Sequence, residues 1–122
     1  MSILVVDDSK PMRMIVKKTL KQAGYLSYEI KEAANGAEAL ASVMAARPAV
    51  VLSDWNMPEM SGYELLQNLN REGISVPFGF ITSETSDEMR ARATSAGARF
   101  LLAKPFTPEN MLAALRDILP PA

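Results

Sequence analysis

The sequence predicts an α/β fold: five strands alternate with five helices, and the strands form one doubly wound parallel sheet with helices on both faces. Three observations predict it. Short, almost wholly apolar runs recur at residues 3–6, 50–52, 78–81 and 100–103, as expected of strands buried on both sides. Between them lie segments whose apolar residues return every three or four positions, the spacing of one helix face. Each apolar run then stops on a residue with chemistry: Asp7-Asp8, Ser53-Asp54, Thr82-Ser83 and Lys104-Pro105. Ligands of open α/β sheets bind at the carboxyl ends of strands, so these endings mark one candidate site.

The elements follow in order. Ile3-Leu4-Val5-Val6 is the first strand. Pro11 suits the first turn of a helix, and Met12, Ile15, Val16, Thr19, Leu20 and Ala23 form its apolar stripe until Gly24 ends it. Residues 27–32 alternate weakly and carry charge, which fits an edge strand. Asn35 caps the second helix with Glu38 in the capping-box position, and Ala37, Leu40, Ala41 and Met44 form its expected buried face. Pro48 closes that helix, and residues 49–53 are the central strand. Ser61 and Glu64 are spaced as a capping box for a third helix, which buries Leu65, Leu66 and Leu69 and stops at Gly73.

Residues 78–82 are the fourth strand. Gly79 inside it requires either a neighbour packed closely over it or a bulge. Thr85 and Glu88 are spaced to cap a fourth helix whose apolar face is thin: Met89, Ala93 and Ala96. A helix that buries so little shifts at small cost. Residues 99–103 form the fifth strand, and Thr107-Pro108 opens the last helix, with Met111, Leu112, Leu115, Ile118 and Leu119 inward.

Composition narrows the function. A chain of 122 residues with 48% hydrophobic side chains supports one core without metals or disulfides. It has no cysteine, hence no thiol chemistry, and no histidine, which removes the usual general base and the commonest metal ligand. A net charge of −1 without a basic block argues against a direct grip on nucleic acid. No charged leader precedes the first strand, and no apolar run approaches a membrane span, so a cytoplasmic protein is expected. Without repeats or a linker, residues 1–122 read as a single domain with no output domain.

Acids gathered at strand ends repel one another and resist ionising unless a cation sits among them. Oxygen ligands without nitrogen or sulfur point to magnesium, with manganese or calcium as alternatives. A carboxylate beside such an ion can attack a phosphoryl group and form an aspartyl phosphate. Asp54 is the acceptor candidate because it stands alone on the central strand. Asp7 and Asp8 are adjacent and can hold the ion together, one directly and one through water. Lys104 and Thr82 can meet the equatorial phosphoryl oxygens.

Taken singly, each of these residues has an ordinary structural role. Asp7-Asp8-Ser9 can cap a helix, Asp54 can close a strand, Thr82 is common at strand ends, and Lys104 can be a solvated loop lysine. Trp55 and the eight methionines read first as packing residues, and Arg90, Arg92 and Arg99 as solvated.

The order acid pair, Asp54, Thr82, Lys104-Pro105 resembles the response-regulator receiver domains of two-component signalling, along the whole chain. Residues 53–58, Ser-Asp-Trp-Asn-Met-Pro, followed by Gly62 and Glu64-Leu65-Leu66, resemble the chemotaxis regulators within that family. The resemblance implies a flavodoxin-like sheet of order 2-1-3-4-5. It implies that Asp54 accepts phosphate from a histidine kinase. Magnesium would be held by Asp8, Asp54 and the Asn56 carbonyl, with Asp7 acting through water. Thr82 would move toward the phosphate, Lys104 would pair with it, and Lys104-Pro105 would be cis. Asn56 and Glu84 would tune dephosphorylation toward a short lifetime. The family usually carries an aromatic switch residue three positions before the lysine; Leu101 stands there.

The leading reading is therefore a phosphoacceptor switch. Phosphorylation would bias a partner-binding face on the fourth helix, fifth strand and fifth helix, in chemotaxis or a related pathway. The protein would be no enzyme beyond its own phosphorylation and dephosphorylation, would be served by a kinase, with a phosphatase as a further candidate partner, and would be a monomer or weak dimer. Two other classes compete: a docking module that never takes phosphate, and a small-molecule phosphatase working through an aspartyl phosphate. The second lacks an inserted cap to enclose a substrate.

Overall fold

A computed structural model describes residues 1–121. The elements alternate as β1 (Ser2–Val6), α1 (Lys10–Gln22), β2 (Glu29–Ala33), α2 (Gly36–Ala45), β3 (Val50–Ser53), α3 (Gly62–Arg71), β4 (Phe78–Thr82), α4 (Asp87–Ser95), β5 (Phe100–Ala103) and α5 (Pro108–Leu115). All neighbouring strands are parallel, in the order β2-β1-β3-β4-β5. The expected order and the half-exposed edge strand β2 are both present.

Strand alternation divides the core. Ile3, Val5, Val50, Leu52 and Ile81 face α1 and α5, where they meet Val16, Leu20, Met111 and Leu115. Leu4, Val6, Val51, Phe78 and Phe80 face the other way, onto Ala39 and Val43 of α2, Leu65, Leu66 and Leu69 of α3, and Ala93 of α4. Each large apolar side chain so buried contributes roughly 1.5–3 kcal/mol. Tyr25, wholly buried after α1, donates from its hydroxyl to the Leu119 carbonyl at 2.9 Å and so fastens the end of α1 to the segment after α5.

Gly79 pairs in register with Phe100 on β5. A Cβ at Gly79 would lie 2.2 Å from the Phe100 ring, so close packing, not a bulge, explains the glycine.

Several expectations need correction. The buried face of α2 is Gly36, Ala39 and Val43; of the expected stripe only Leu40 packs, partly buried, on the core, while Ala37 and Ala41 are exposed and Met44 is 60% exposed. The helix is apolar nearly all round, so periodicity did not select a side. Ile15 and Met14 on α1 are also exposed, so not every methionine is a core residue. The cap of α4 is Ser86, whose hydroxyl accepts the Met89 N–H, rather than Thr85. The Glu38 carboxylate reaches the Ala34 N–H and the Asn35 side chain rather than the Asn35 backbone. The capping box of α3 is complete, and α5 has an unforeseen one between Thr107 and Asn110.

Candidate functional site

Three of the strand-end residues are each held by one further backbone bond beyond their strand. The Asp7 N–H donates to Ala33 O at 3.1 Å, Asp54 N–H to Val6 O at 2.9 Å, and Lys104 N–H to Thr82 O at 2.9 Å. The ladder thus carries acids and lysine to one end of the sheet on rigid supports. Lys104-Pro105 is cis, as the resemblance implied.

Asp7, Asp8 and Asp54 each place a carboxylate oxygen within 4.8 Å of the others. Asp7 is buried, Asp54 half-buried and Asp8 exposed, so the cluster opens on one side. The Lys104 ammonium lies 3.4 Å from Asp7 Oδ2 and 3.5 Å from Asp54 Oδ2. Asp7 Oδ1 accepts the Ser9 N–H at 2.9 Å, and Asp54 Oδ1 accepts the Trp55 N–H at 2.8 Å. Burial holds the Asp54 carboxyl above the usual carboxylate range; Lys104 opposes that rise, Asp7 adds to it, and the Trp55 N–H opposes it.

This donor set can hold a metal ion. It consists of oxygen ligands only, and its carboxylates lie close enough for Asp7 to add to the burial that already disfavours the charged form of Asp54. Both features fit a hard divalent cation.

The loop after Asp54 is tightly folded. Ser53 Oγ donates to Asp54 O, and Gly62 N–H donates to Trp55 O, both at 2.8 Å. Gly62 lies so close beneath that a Cβ there would sit 2.0 Å from the Asp54 carbonyl oxygen. Trp55 and Met57 turn inward and anchor the loop in the core.

Thr82 is fully buried, and its Oγ1 accepts the Glu84 N–H at 3.3 Å. Asn56 and Glu84 are both exposed, and the Asn56 side-chain amide donates to Glu84 Oε1 at 3.3 Å. Leu101 packs with the core instead. It is half-buried and packs on the α2/α3/α4 face, in the cluster that holds Trp55, Phe80 and Ala93.

Two features escaped sequence reasoning. Arg13 Nη1 donates to the Asp7 carbonyl at 2.7 Å while Nε binds Glu32, which ties the acid pair to α1 and β2. Arg92 is not simply solvated: its guanidinium lies 4.6 Å over the Tyr63 ring, and Tyr63 stacks on Trp55. Both join segments far apart in the chain, where no spacing rule applies.

A family model for the response regulator receiver domain matches residues 3–116. The chain belongs to that family. Receiver domains are phosphoacceptor regulators of two-component signalling. This receiver domain is 38% identical over 122 residues to the chemotaxis protein CheY1 of Helicobacter pylori, covering 98% of this chain and 97% of the relative. It is 37% identical to a CheY homolog of Campylobacter jejuni, covering 98% and 92%. The solved structure of Vibrio cholerae chemotaxis protein CheY4 superposes with a TM-score of 0.85 at 39% identity, covering 97% of this chain and 98% of that one. Among the described residues, no helix is long and apolar enough to cross a membrane.

Proposed function

We propose that this receiver domain is a phosphorylation switch of the chemotaxis type, with Asp54 as phosphoacceptor. The single observation that carries the reading is the Lys104 ammonium, set 3.4–3.5 Å from both Asp7 and Asp54 at the mouth of an all-carboxylate cluster.

An Asp54 carboxylate oxygen attacks the phosphorus of a kinase phosphohistidine. The new O–P bond forms as the N–P bond breaks, and the imidazole leaves with the bonding pair and takes up a proton. Lys104 neutralises charge on one equatorial oxygen, and the Thr82 hydroxyl, turned from its present bond, meets another. Asp8, Asp54 and the Asn56 carbonyl would hold magnesium, with Asp7 behind them and manganese as a possible substitute. When bound, the ion supplies charge neutralisation of the transferring group. A groove of about 370 Å³, lined by Met12, Ile15, Ser83, Lys104, Pro105 and Phe106, opens beside the lysine and gives the donor an apolar wall.

Water attacking phosphorus reverses the modification, releasing inorganic phosphate and restoring the carboxylate. Asn56 and Glu84, hydrogen-bonded across the opening, govern that water's approach. A separate phosphatase can act at the same opening. The output face is the surface of α4, β5 and α5, with Leu101 beneath it. The chemotaxis assignment is supported by relatives of matching extent that bear the CheY name.

Trp55 reports the event. Acetyl phosphate with magnesium is expected to change its fluorescence in the natural protein and not in Asp54→Asn. An equal, donor-dependent response in Asp54→Asn would overturn the assignment.

A further inference from the structure

The fourth helix is seated shallowly. Ala93 is its one buried residue, and Met89 and Ala96 are half-buried. A helix held by so few apolar contacts depends on whatever else fastens it. One fastening is visible. From α4, the Arg92 guanidinium lies 4.6 Å from the Tyr63 ring centroid and 5.9 Å from that of Trp55. Both distances are within the range of cation–π attraction. Trp55 and Tyr63 form a near-parallel stack, with centroids 5.1 Å apart and planes 11° apart. None of the ion pairs among the described residues involves Arg92. Arg92 is exposed, and the rings are the protein groups its guanidinium rests on.

The other end of this stack is the candidate phosphorylation site. Trp55 follows Asp54 directly, and its N–H donates to Asp54 Oδ1 at 2.8 Å. That is a hydrogen bond to a charged acceptor, of the stronger kind. Esterifying Asp54 with a phosphoryl group moves the negative charge outward and turns the carboxylate into a neutral acyl group. The backbone N–H of Trp55 then loses its charged partner, and the main chain that carries the indole re-seats within its packing. Because Tyr63 lies flat against the indole, the stack shifts as a unit beneath the guanidinium.

We propose that Arg92 couples the state of Asp54 to α4: through the Tyr63–Trp55 stack it pins the helix in one position and releases or re-seats it when Asp54 is modified. The coupling rests on the phosphoacceptor reading above. It is a route separate from Thr82 and Leu101, and it suits a chain whose switch position offers no aromatic ring. Arginine is the fitting residue, since a planar guanidinium lies flat on a ring while a lysine ammonium meets it as a point charge.

The test is hydrogen exchange of the 87–95 segment, with intact mass recorded on the same samples, before and after acetyl phosphate and magnesium. Wild type, Arg92→Ala, Arg92→Lys and Tyr63→Leu are compared. In wild type, exchange in α4 changes on phosphorylation. In Arg92→Ala, uptake of the phosphoryl group is unchanged, exchange before phosphorylation is already about fivefold faster, and little further change follows. Tyr63→Leu behaves like Arg92→Ala, and Arg92→Lys falls between that and wild type. Such partial rescue distinguishes a cation on the rings from mere bulk. Normal phosphoryl uptake with the wild-type change in α4 retained in Arg92→Ala overturns the coupling, as does a wild-type α4 indifferent to phosphorylation. No phosphoryl uptake by wild type overturns the Asp54 reading, and the coupling with it.

Discussion

Replacing Gly62 by alanine is expected to damage both fold and site, because the obstacle is the backbone of Asp54 itself. The new Cβ would lie 2.0 Å from Asp54 O, 2.9 Å from Ser53 Oγ and 3.1 Å from the Asp54 carbonyl carbon. Ordinary van der Waals contact requires the carbonyl to retreat by more than about 1 Å. That carbonyl cannot retreat alone, since it accepts from Ser53 Oγ and the following residue is pinned through Trp55 O to the Gly62 N–H. Overpacking against a fixed neighbour costs about 3 kcal/mol, which in a domain of this size lowers the melting temperature by roughly 10 °C. The displacement also moves Asp54 relative to Lys104, and a misplacement of about 1 Å lowers a positioned reaction on the order of a hundredfold.

Gly36→Ala is the internal comparison. It also stands at the first position of a helix, but its Cβ would meet Met60 Sδ at 2.6 Å and Cγ at 2.8 Å, which can swing away, and Met60 Cβ at 2.9 Å, which asks a shift of a few tenths of an ångström. Its expected cost is about 1 kcal/mol, the low end for overpacking. Urea unfolding and the rate of phosphorylation by acetyl phosphate measure both effects. If Gly62→Ala matches Gly36→Ala in stability and phosphorylates at the wild-type rate, the packing argument is wrong.

Three further outcomes are expected. In chelator, Asp54→Asn is more stable than wild type at neutral pH. The folded-state pKa of Asp54 is raised, so its favourable contribution holds below about pH 4, the unfolded carboxylate's value, and is lost as pH rises through the folded value; urea midpoints of the two proteins should therefore converge in acid, and a constant gap would count against it. Ser86→Ala costs about 1 kcal/mol through the lost cap of α4, whereas Thr85→Ala costs little, and thermal melts that reverse this order would restore Thr85 as the cap. Tyr25→Phe costs about 1–1.5 kcal/mol because it removes the buried bond to the Leu119 carbonyl, and unchanged denaturation midpoints would deny that bond a role.

The sheet was legible because strands buried on both faces leave uninterrupted apolar runs, and glycine or proline marks their limits. The site was legible for the same reason: a run such as Val50-Val51-Leu52 that ends on an acid leaves little doubt about where the acid sits. The α2 face was not legible, because apolar residues surround that helix and tertiary contact between Gly36 and Met60 chose the side. The α4 cap was misread because Thr85, with Glu88 three residues on, imitates a capping box, yet the cap lies one residue later at Ser86 and the helix begins at Asp87. Gly79 announced an anomaly, but only the register with Phe100 identified its cause. Arg13 on Asp7 and Arg92 on the aromatic stack left no trace in sequence, since each contact depends on how separate segments pack.

The central claim, that Asp54 accepts a phosphoryl group, is tested most directly by intact mass spectrometry after incubation with acetyl phosphate, with magnesium or with chelator. The account predicts one added phosphoryl group that requires magnesium and is absent from Asp54→Asn. Phosphoryl addition that persists in Asp54→Asn, or no addition to wild type when magnesium still alters Trp55 fluorescence and the donor is in large excess, would contradict it.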